Sequence, residues 1–296
     1  MPITYTTELI NRLLAEESRF DRDYQQHFLP EDSRPAAIGK PFFLPGSSAC
    51  GVLLVHGLMA APEEVREWGE YLHAQGYTVY APRMAGHGTS AIDLANRRAE
   101  DWMASVEQGR HILECCCQHI VIAGFSTGGA VALESVIRHP EAFAAVISIS
   151  APLRFKAFTA HFAEPVHYGN RLLQLLGLGK YRKTFVRNHA DNPHINYLRC
   201  PVSSIVQIKR LMRSIHNGLP TIRIPSLVMH ADGDPKVDVR GGREIYHRLG
   251  GINKRYHEVC FHQHGIVRGE ITREVFAEAR DFLTTVMGSC NSSLTR

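Results

Sequence analysis

The sequence predicts an α/β fold, a mostly parallel central sheet flanked by helices and carrying one helical insertion, on three observations. From Cys50 onward, short apolar runs alternate with helical periods; the alternation stops between Ala151 and Pro225; beyond Pro225 it resumes. Strand and helix in strict alternation imply parallel strands covered on both faces. A chain of 296 residues, 44% hydrophobic and 21% charged, is long enough to bury one such core with an insertion, and its composition excludes extensive disorder.

Between residues 8 and 28, Leu9, Ile10, Leu13, Leu14, Phe20, Tyr24 and Phe28 recur at roughly helical spacing with charges between them. An amphipathic helix against the core is expected, within an N-terminal helical extension over residues 1–40. Acids balance the bases on its polar side, which weighs against a membrane-surface anchor. CGVLLVHG then reads as a buried strand and PEEVREWGEYLHAQG as a helix. Pro62 suits the first helical turn, Glu63 and Glu64 favour the positive end of the helix dipole, and Gly76 fits its stop.

YTVYAP, HIVIAGF, AAVISIS, PSLVMH and RYHEVCF read as further strands, with helices around 98–116 and directly after Ser126. Val275, Phe276, Ala279, Phe282, Leu283 and Val286 mark a final helix. The core is therefore assigned to residues 41–150 and 226–296, and a helical cap to residues 151–225, where no convincing core strand interrupts the helical pattern. Phe155, Phe158, Phe162, Leu172, Leu173, Leu175, Leu176, Leu178 and Phe185 give this cap more apolar bulk than surface helices carry. Most of them are expected to pack within the insertion or onto the core, with some lining an acyl pocket.

The net charge of +4 is small for this length, and only Arg171–Arg187 is mildly basic, so no nucleic-acid partner is expected. Seven cysteines without a CxxC pair read as reduced thiols, including the consecutive Cys115, Cys116 and Cys117. Cys290 lies too far from the C-terminus for a prenylation box. MPITYTTELINRLL lacks the basic start and continuous apolar run of a signal peptide, and nowhere do eighteen apolar residues run together. No stable membrane insertion is expected, and a cytoplasmic address follows by default.

The chemistry centres on Gly124-Phe125-Ser126-Thr127-Gly128, a G-x-S-x-G directly after an apolar strand and directly before a helix. In that context the motif is a tight turn that exposes Ser126 at the carboxyl edge of the sheet and aims the N-terminus of the next helix at the same point. A serine hydroxyl needs a base, and the base needs an orienting carboxylate. Asp234, in the loop after PSLVMH, and His264, in the loop after RYHEVCF, stand in the chain order Ser, Asp, His. Asp232 and Asp238 compete for the first role and His262 for the second, but Asp234 lies far enough past its strand to turn over the sheet edge, and His262 lies nearer the strand end.

Backbone N–H groups of Leu58, after VHG, and of Thr127 are the expected oxyanion donors. His56 reads as a structural histidine bonded to nearby backbone, because one base suffices. His262 and His264 lack a third ligand at suitable spacing, so no metal and no cofactor is expected.

Four segments, LLVHGLMAAPEEVREWGEYLHAQGYTVYAPRMAGHGTS, GFSTGG, PSLVMHADGDPKVD and HQHGIV, occur in order within residues 50–285. Together they resemble the α/β-hydrolase carboxylesterases and monoacylglycerol lipases, a group that includes serine aminopeptidase-like hydrolases. The resemblance implies the α/β-hydrolase fold with a helical cap, oxyanion amides at Leu58 and Thr127, and the acid at Asp234 with Val237 following it. Ala231 stands where the family usually has glycine, and Thr127 where its lipases usually carry methionine or leucine. It further implies a small-molecule ester substrate with a small or medium acyl chain. A serine esterase acting through an acyl-enzyme on Ser126 is the first reading; an amidase, aminopeptidase or lactonase of the same fold is the second. A non-catalytic binder on a degenerate scaffold is the third, and the presence of every triad member argues against it.

Overall fold

In the computed structural model, which describes residues 5–156 and 163–293, the apolar runs form the middle of a seven-stranded sheet. The strands are β1 (Phe42–Leu44), β2 (Cys50–Val55), β3 (Thr78–Ala81), β4 (His119–Phe125), β5 (Ala145–Ile149), β6 (Phe185–Arg187), β7 (Arg199–Pro201), β8 (Ser226–Ala231) and β9 (Lys254–Val259). The helices are α1 (Thr7–His27), α2 (Ala36–Gly39), α3 (Arg66–Ala74), α4 (Ala91–Ala95), α5 (Ala99–Glu114), α6 (Thr127–Arg138), α7 (Ala163–Leu175), α8 (Val202–Gly218), α9 (Val239–Arg248) and α10 (Thr272–Ser293). The large sheet has the order β1-β3-β2-β4-β5-β8-β9. All its neighbours run parallel except β1, which pairs antiparallel with β3 at the edge.

Why these runs are strands follows from their burial: every residue of β2, β5 and β8 is buried, as expected where helices cover both faces of a parallel sheet. Alternate residues feed two separate cores. Leu53 and Ile122 pack with Trp102 of α5, Val131 of α6, Ile208 of α8 and Ile245 of α9. Leu54 and Val121 face the other way, toward Trp68 of α3 and Phe276 and Leu283 of α10. Trp68 and Phe276 stack with ring centroids 6.2 Å apart and planes only 9° apart, joining α3 to α10.

The helix expected near residues 8–28 is α1, opened by Thr6, whose hydroxyl accepts the Leu9 N–H at 3.1 Å. Leu9 and Phe20 are fully buried, and Asp23 forms an ion pair with the buried Arg83. The stretch after α1 is bonded across the carboxyl edge of the sheet. Asp32 accepts the Ala91 N–H at 2.7 Å and pairs with Arg199 at 3.1 Å, while Arg34 donates to the Asn196 carbonyl at 2.8 Å.

Between β5 and β8 the chain forms α7, the antiparallel pair β6–β7 and α8. The hairpin, with Val186 opposite Cys200, stands outside the central sheet and adds to the helical pattern expected here, which had no core strand; its three-residue strands are too short to carry a period of two. The apolar side chains here depart from expectation. Leu172, Leu175, Leu176 and Leu178 are exposed, Leu175 by 84%, instead of packing inward. Phe155 and Phe185 do pack against the core, whereas Phe158 and Phe162 lie outside the described residues.

Replacing Trp68 by alanine removes the largest side chain between α3 and α10, and the cost is expected to be about 3–5 kcal/mol. Urea unfolding followed by circular dichroism measures it; a loss below about 1 kcal/mol would contradict the packing described.

Candidate active site

β4 is buried from Ile120 to Phe125 and ends in a sharp turn at Ser126, whose φ of 54° and ψ of −122° lie in a region that non-glycine residues seldom adopt. Such a conformation costs on the order of 1–3 kcal/mol and persists only where its surroundings enforce it. Here the Ser126 N–H donates to the Ile149 carbonyl of β5 at 2.8 Å, and α6 starts at the next residue. The turn also requires two close backbone approaches. A Cβ at Gly128 would overlap the carbonyl oxygen of Val55, and a Cβ at Gly124 that of Gly128. The two glycines of the motif are therefore steric requirements of the turn.

The loops after β8 and β9 bring the expected acid and base to this turn. His264 Nε2 lies 2.8 Å from Ser126 Oγ, and His264 Nδ1 lies 2.6 Å from Asp234 Oδ2. The other carboxylate oxygen of Asp234 accepts the N–H groups of Lys236 at 2.8 Å and Val237 at 3.0 Å. Burial by itself raises the pKa of this carboxyl, but the adjacent His230 and His264 rings and the Val237 N–H outweigh it and hold it well below the ordinary value. An ionised Asp234 can only accept, so His264 Nδ1 carries the proton and Nε2 presents its lone pair to the serine hydroxyl.

The rival residues serve other purposes. Asp232 is exposed and accepts the Phe261 N–H at 3.0 Å; Asp238 caps α9 and pairs with Arg240; His262 is exposed.

Two residues that the sequence did not mark also touch the acid loop. His230, fully buried on β8, has Nε2 3.5 Å from Asp234 Oδ2, and Lys156 Nζ donates to the Asp234 carbonyl at 3.0 Å. His230 sits two residues before Asp232 within an apolar strand, so only its polarity among buried neighbours could have singled it out. Lys156 follows Phe155, which bridges to Val237, so the chain leaving β5 is stitched to the acid loop.

Opposite the serine lies the loop after β2. His56 Nδ1 donates to the Gly57 carbonyl at 2.9 Å, and its Nε2 accepts the Met84 N–H at 3.2 Å, so it is a structural histidine bonded to nearby backbone, as expected. Complete burial lowers its pKa to about 4 and keeps it neutral. Glu64 stands in the first turn before α3, as the sequence placed it, but it is buried, and its Oε2 accepts the Gly57 N–H at 2.6 Å.

Leu58 and Thr127 both line a cavity of about 740 Å³ that also contains Ser126 and His264. Thr127 opens α6, where N–H groups have no intrahelical partner. The lining includes apolar side chains, Phe155, Val166, Val186, Val202, Ile205 and Ile208, and polar ones, Glu64, Asp191, Asn192 and Lys236. Among the described residues, no group of three or more His, Cys, Asp or Glu side chains is arranged to hold a metal ion. Nor is any helix among them long and apolar enough to cross a membrane.

Residues 47–270 match the family described as serine aminopeptidase, S33. A thermostable monoacylglycerol lipase from Bacillus sp. (strain H-257) is 31% identical over 221 residues, covering 74% of this chain and 84% of that protein. Among solved structures, a metagenome-derived lipolytic enzyme superposes with a TM-score of 0.73 at 23% identity, over 87% of this chain and 99% of that one. The monoacylglycerol lipase of Paleococcus ferrophilus does so with a TM-score of 0.70 at 18% identity, over 83% and 98%. At such identities the two structures speak for the fold, an α/β-hydrolase fold, as the strand order and the turn at residue 126 also do.

Gly128→Ala tests whether the turn is as tight as described. The added methyl group is expected to cost at least about 2 kcal/mol by backbone displacement. Thermal denaturation at fixed pH gives the value; stability within about 0.5 kcal/mol of the parent would contradict the close approach to Val55.

Proposed function

The chain belongs to the serine aminopeptidase S33 family of hydrolases, and on that basis we propose that it cleaves carboxylic esters with a small or medium acyl chain, as a carboxylesterase or monoacylglycerol lipase. The observation that carries the reading is the single imidazole spanning Ser126 Oγ and Asp234 Oδ2, with both hydrogen-bond distances below 3 Å.

In this mechanism His264 Nε2 takes the Ser126 proton as Oγ adds to the ester carbonyl. The carbonyl oxygen gains a negative charge and accepts the N–H groups of Leu58 and Thr127, at the positive end of α6. Asp234 holds the imidazole in the required tautomer and stabilises the imidazolium that forms. His264 then returns its proton to the departing alkoxide, leaving an acyl-enzyme on Ser126, and the same sequence with water in place of serine releases the acid. Val166, Val186 and Ile208 in the lining suit an acyl chain, and the polar side chains of the lining suit the alcohol.

We read residues 151–225 as a cap over this cavity, since Val166, Val186 and Ile208 are among its apolar lining residues. A cytoplasmic location fits the six described cysteines, all of them free thiols.

The ester reading is preferred to an aminopeptidase because the acids of the cap are already engaged. Glu164 is paired with Lys209 at 2.8 Å and with Arg213, and Asp191 is paired with Lys236 at 3.1 Å. A substrate ammonium would have to displace one of these partners.

Ser126→Ala and His264→Ala are each expected to lower kcat on p-nitrophenyl butyrate by roughly 10⁴-fold or more, and Asp234→Asn by a similar order. The parent enzyme is expected to turn over an amino-acid p-nitroanilide far more slowly than this ester. A folded Ser126→Ala protein with parental kcat would end the proposal, and a preference for the anilide would move it to the amide class.

A further inference from the structure

We infer that Glu64 is a positioning residue for the oxyanion loop, fixing the Gly57 backbone so that the next amide, that of Leu58, faces the Ser126 hydroxyl. The inference rests on the reading of Leu58 as an oxyanion donor and extends it to a carboxyl that has no part in the triad.

Gly57 is the residue about which the loop could most easily swing, because glycine has the widest choice of backbone angles. Its two flanking peptides are both held. The His56–Gly57 peptide is fixed through its N–H, which donates to Glu64 Oε2 at 2.6 Å. The Gly57–Leu58 peptide is fixed through its carbonyl, which accepts from His56 Nδ1 at 2.9 Å. That second peptide carries the Leu58 N–H, so the direction of the donor depends on both clamps. Leu58 itself has no side-chain function that could aim its own amide.

Glu64 is built into this role. It lies in the 3₁₀ turn Pro62–Val65, is 4% exposed, and lines the same cavity as Ser126 and His264. A Cβ placed on Gly57 would lie 3.0 Å from Glu64 Oε2 and 3.4 Å from Ser126 Cβ, so carboxyl and nucleophile flank one glycine. Removing water from a carboxyl is costly, and a purely structural acceptor could be met by a neutral group.

Burial pushes the Glu64 pKa up to about 7, against the Gly57 N–H and the fields of Lys236 and Arg268, which lower it; Asp191 adds to the rise. These are the charged groups that reach it, from the acid loop, the segment before α10 and the segment before β7. The carboxyl therefore changes charge near neutrality. Oε2 accepts the Gly57 N–H in either state, but above pH 7 a negative charge sits beside the place where the oxyanion forms. Ionisation of Glu64 should thus lower kcat.

The test compares the parent with Glu64→Gln and Glu64→Leu, measuring kcat and KM on p-nitrophenyl butyrate from pH 5 to 9, with circular dichroism as the check on folding. Leucine cannot accept the Gly57 N–H, and kcat is expected to fall roughly 10- to 100-fold with KM changed by no more than about twofold. The amide oxygen of glutamine can accept it, so Glu64→Gln is expected to recover most of that loss. The ratio of parental kcat to that of Glu64→Gln is expected to decline as pH rises through about 7, because only the parent acquires the charge.

A folded Glu64→Leu protein with parental kcat would overturn the inference, as would a Glu64→Gln protein as impaired as Glu64→Leu. If Glu64→Leu does not fold, Glu64→Met decides in its place: a similar fall in kcat with KM little changed supports the role, and parental kcat in the folded variant refutes it. Ser126→Ala, measured alongside, separates this outcome from failure of the esterase reading, which would leave that variant active.

Discussion

The whole site depends on one strained turn. Ser126 adopts a left-handed backbone that exposes its hydroxyl above the sheet, and it does so because Gly124 and Gly128 allow main chains to touch and because β5 accepts the Ser126 N–H. The penalty of that conformation is offset by the buried strands around it: β2 and β5 flank β4 and carry no exposed residue. Relaxing the turn would swing the hydroxyl away from His264 and move the first amide of α6 with it. The hydroxyl and the first amide of α6, the proposed nucleophile and oxyanion donor, are thus set by the same few backbone angles.

Parallel topology explains why the other parts meet there. Every strand of a parallel sheet ends at the same edge, so the loops after β2, β4, β8 and β9 converge without any long excursion. Polar contacts then adjust them. Asp234 is held by two backbone N–H groups on one oxygen and by His264 on the other, with His230 beneath it, so its negative charge persists although it is buried. Phe155, Lys156 and Asp191 tie the segments after β5 and before β7 to the same loop, which links part of the cavity lining to the carboxyl bonded to His264.

Much of this was legible in the residues. Buried strands such as Cys50–Val55 and Ser226–Ala231 announce themselves as apolar runs, and a G-x-S-x-G between strand and helix has few structural solutions. The chain order of Ser126, Asp234 and His264 then narrows the acid and base to a few candidates, among which distance past the strand end chooses. Less accessible were elements too short for periodicity, namely the edge strand Phe42–Leu44, the Val186–Cys200 hairpin and the short helices α2 and α4. The leucines of α7 misled for a different reason: apolar spacing reports amphipathicity, not whether anything covers the apolar face, and Leu175 remains exposed. Glu64 was legible only as an acid in a first helical turn; its burial and its bond to the Gly57 amide, seven residues earlier, depend on how the loop after β2 folds back.

A crystal structure of the protein reacted with a p-nitrophenyl alkylphosphonate tests the central claim most directly, because phosphorus mimics the tetrahedral carbon. The account predicts a covalent bond from Ser126 Oγ to phosphorus, with the phosphoryl oxygen about 3 Å from the N–H groups of both Leu58 and Thr127. An adduct on another residue, or a phosphoryl oxygen turned away from both amides, would contradict it.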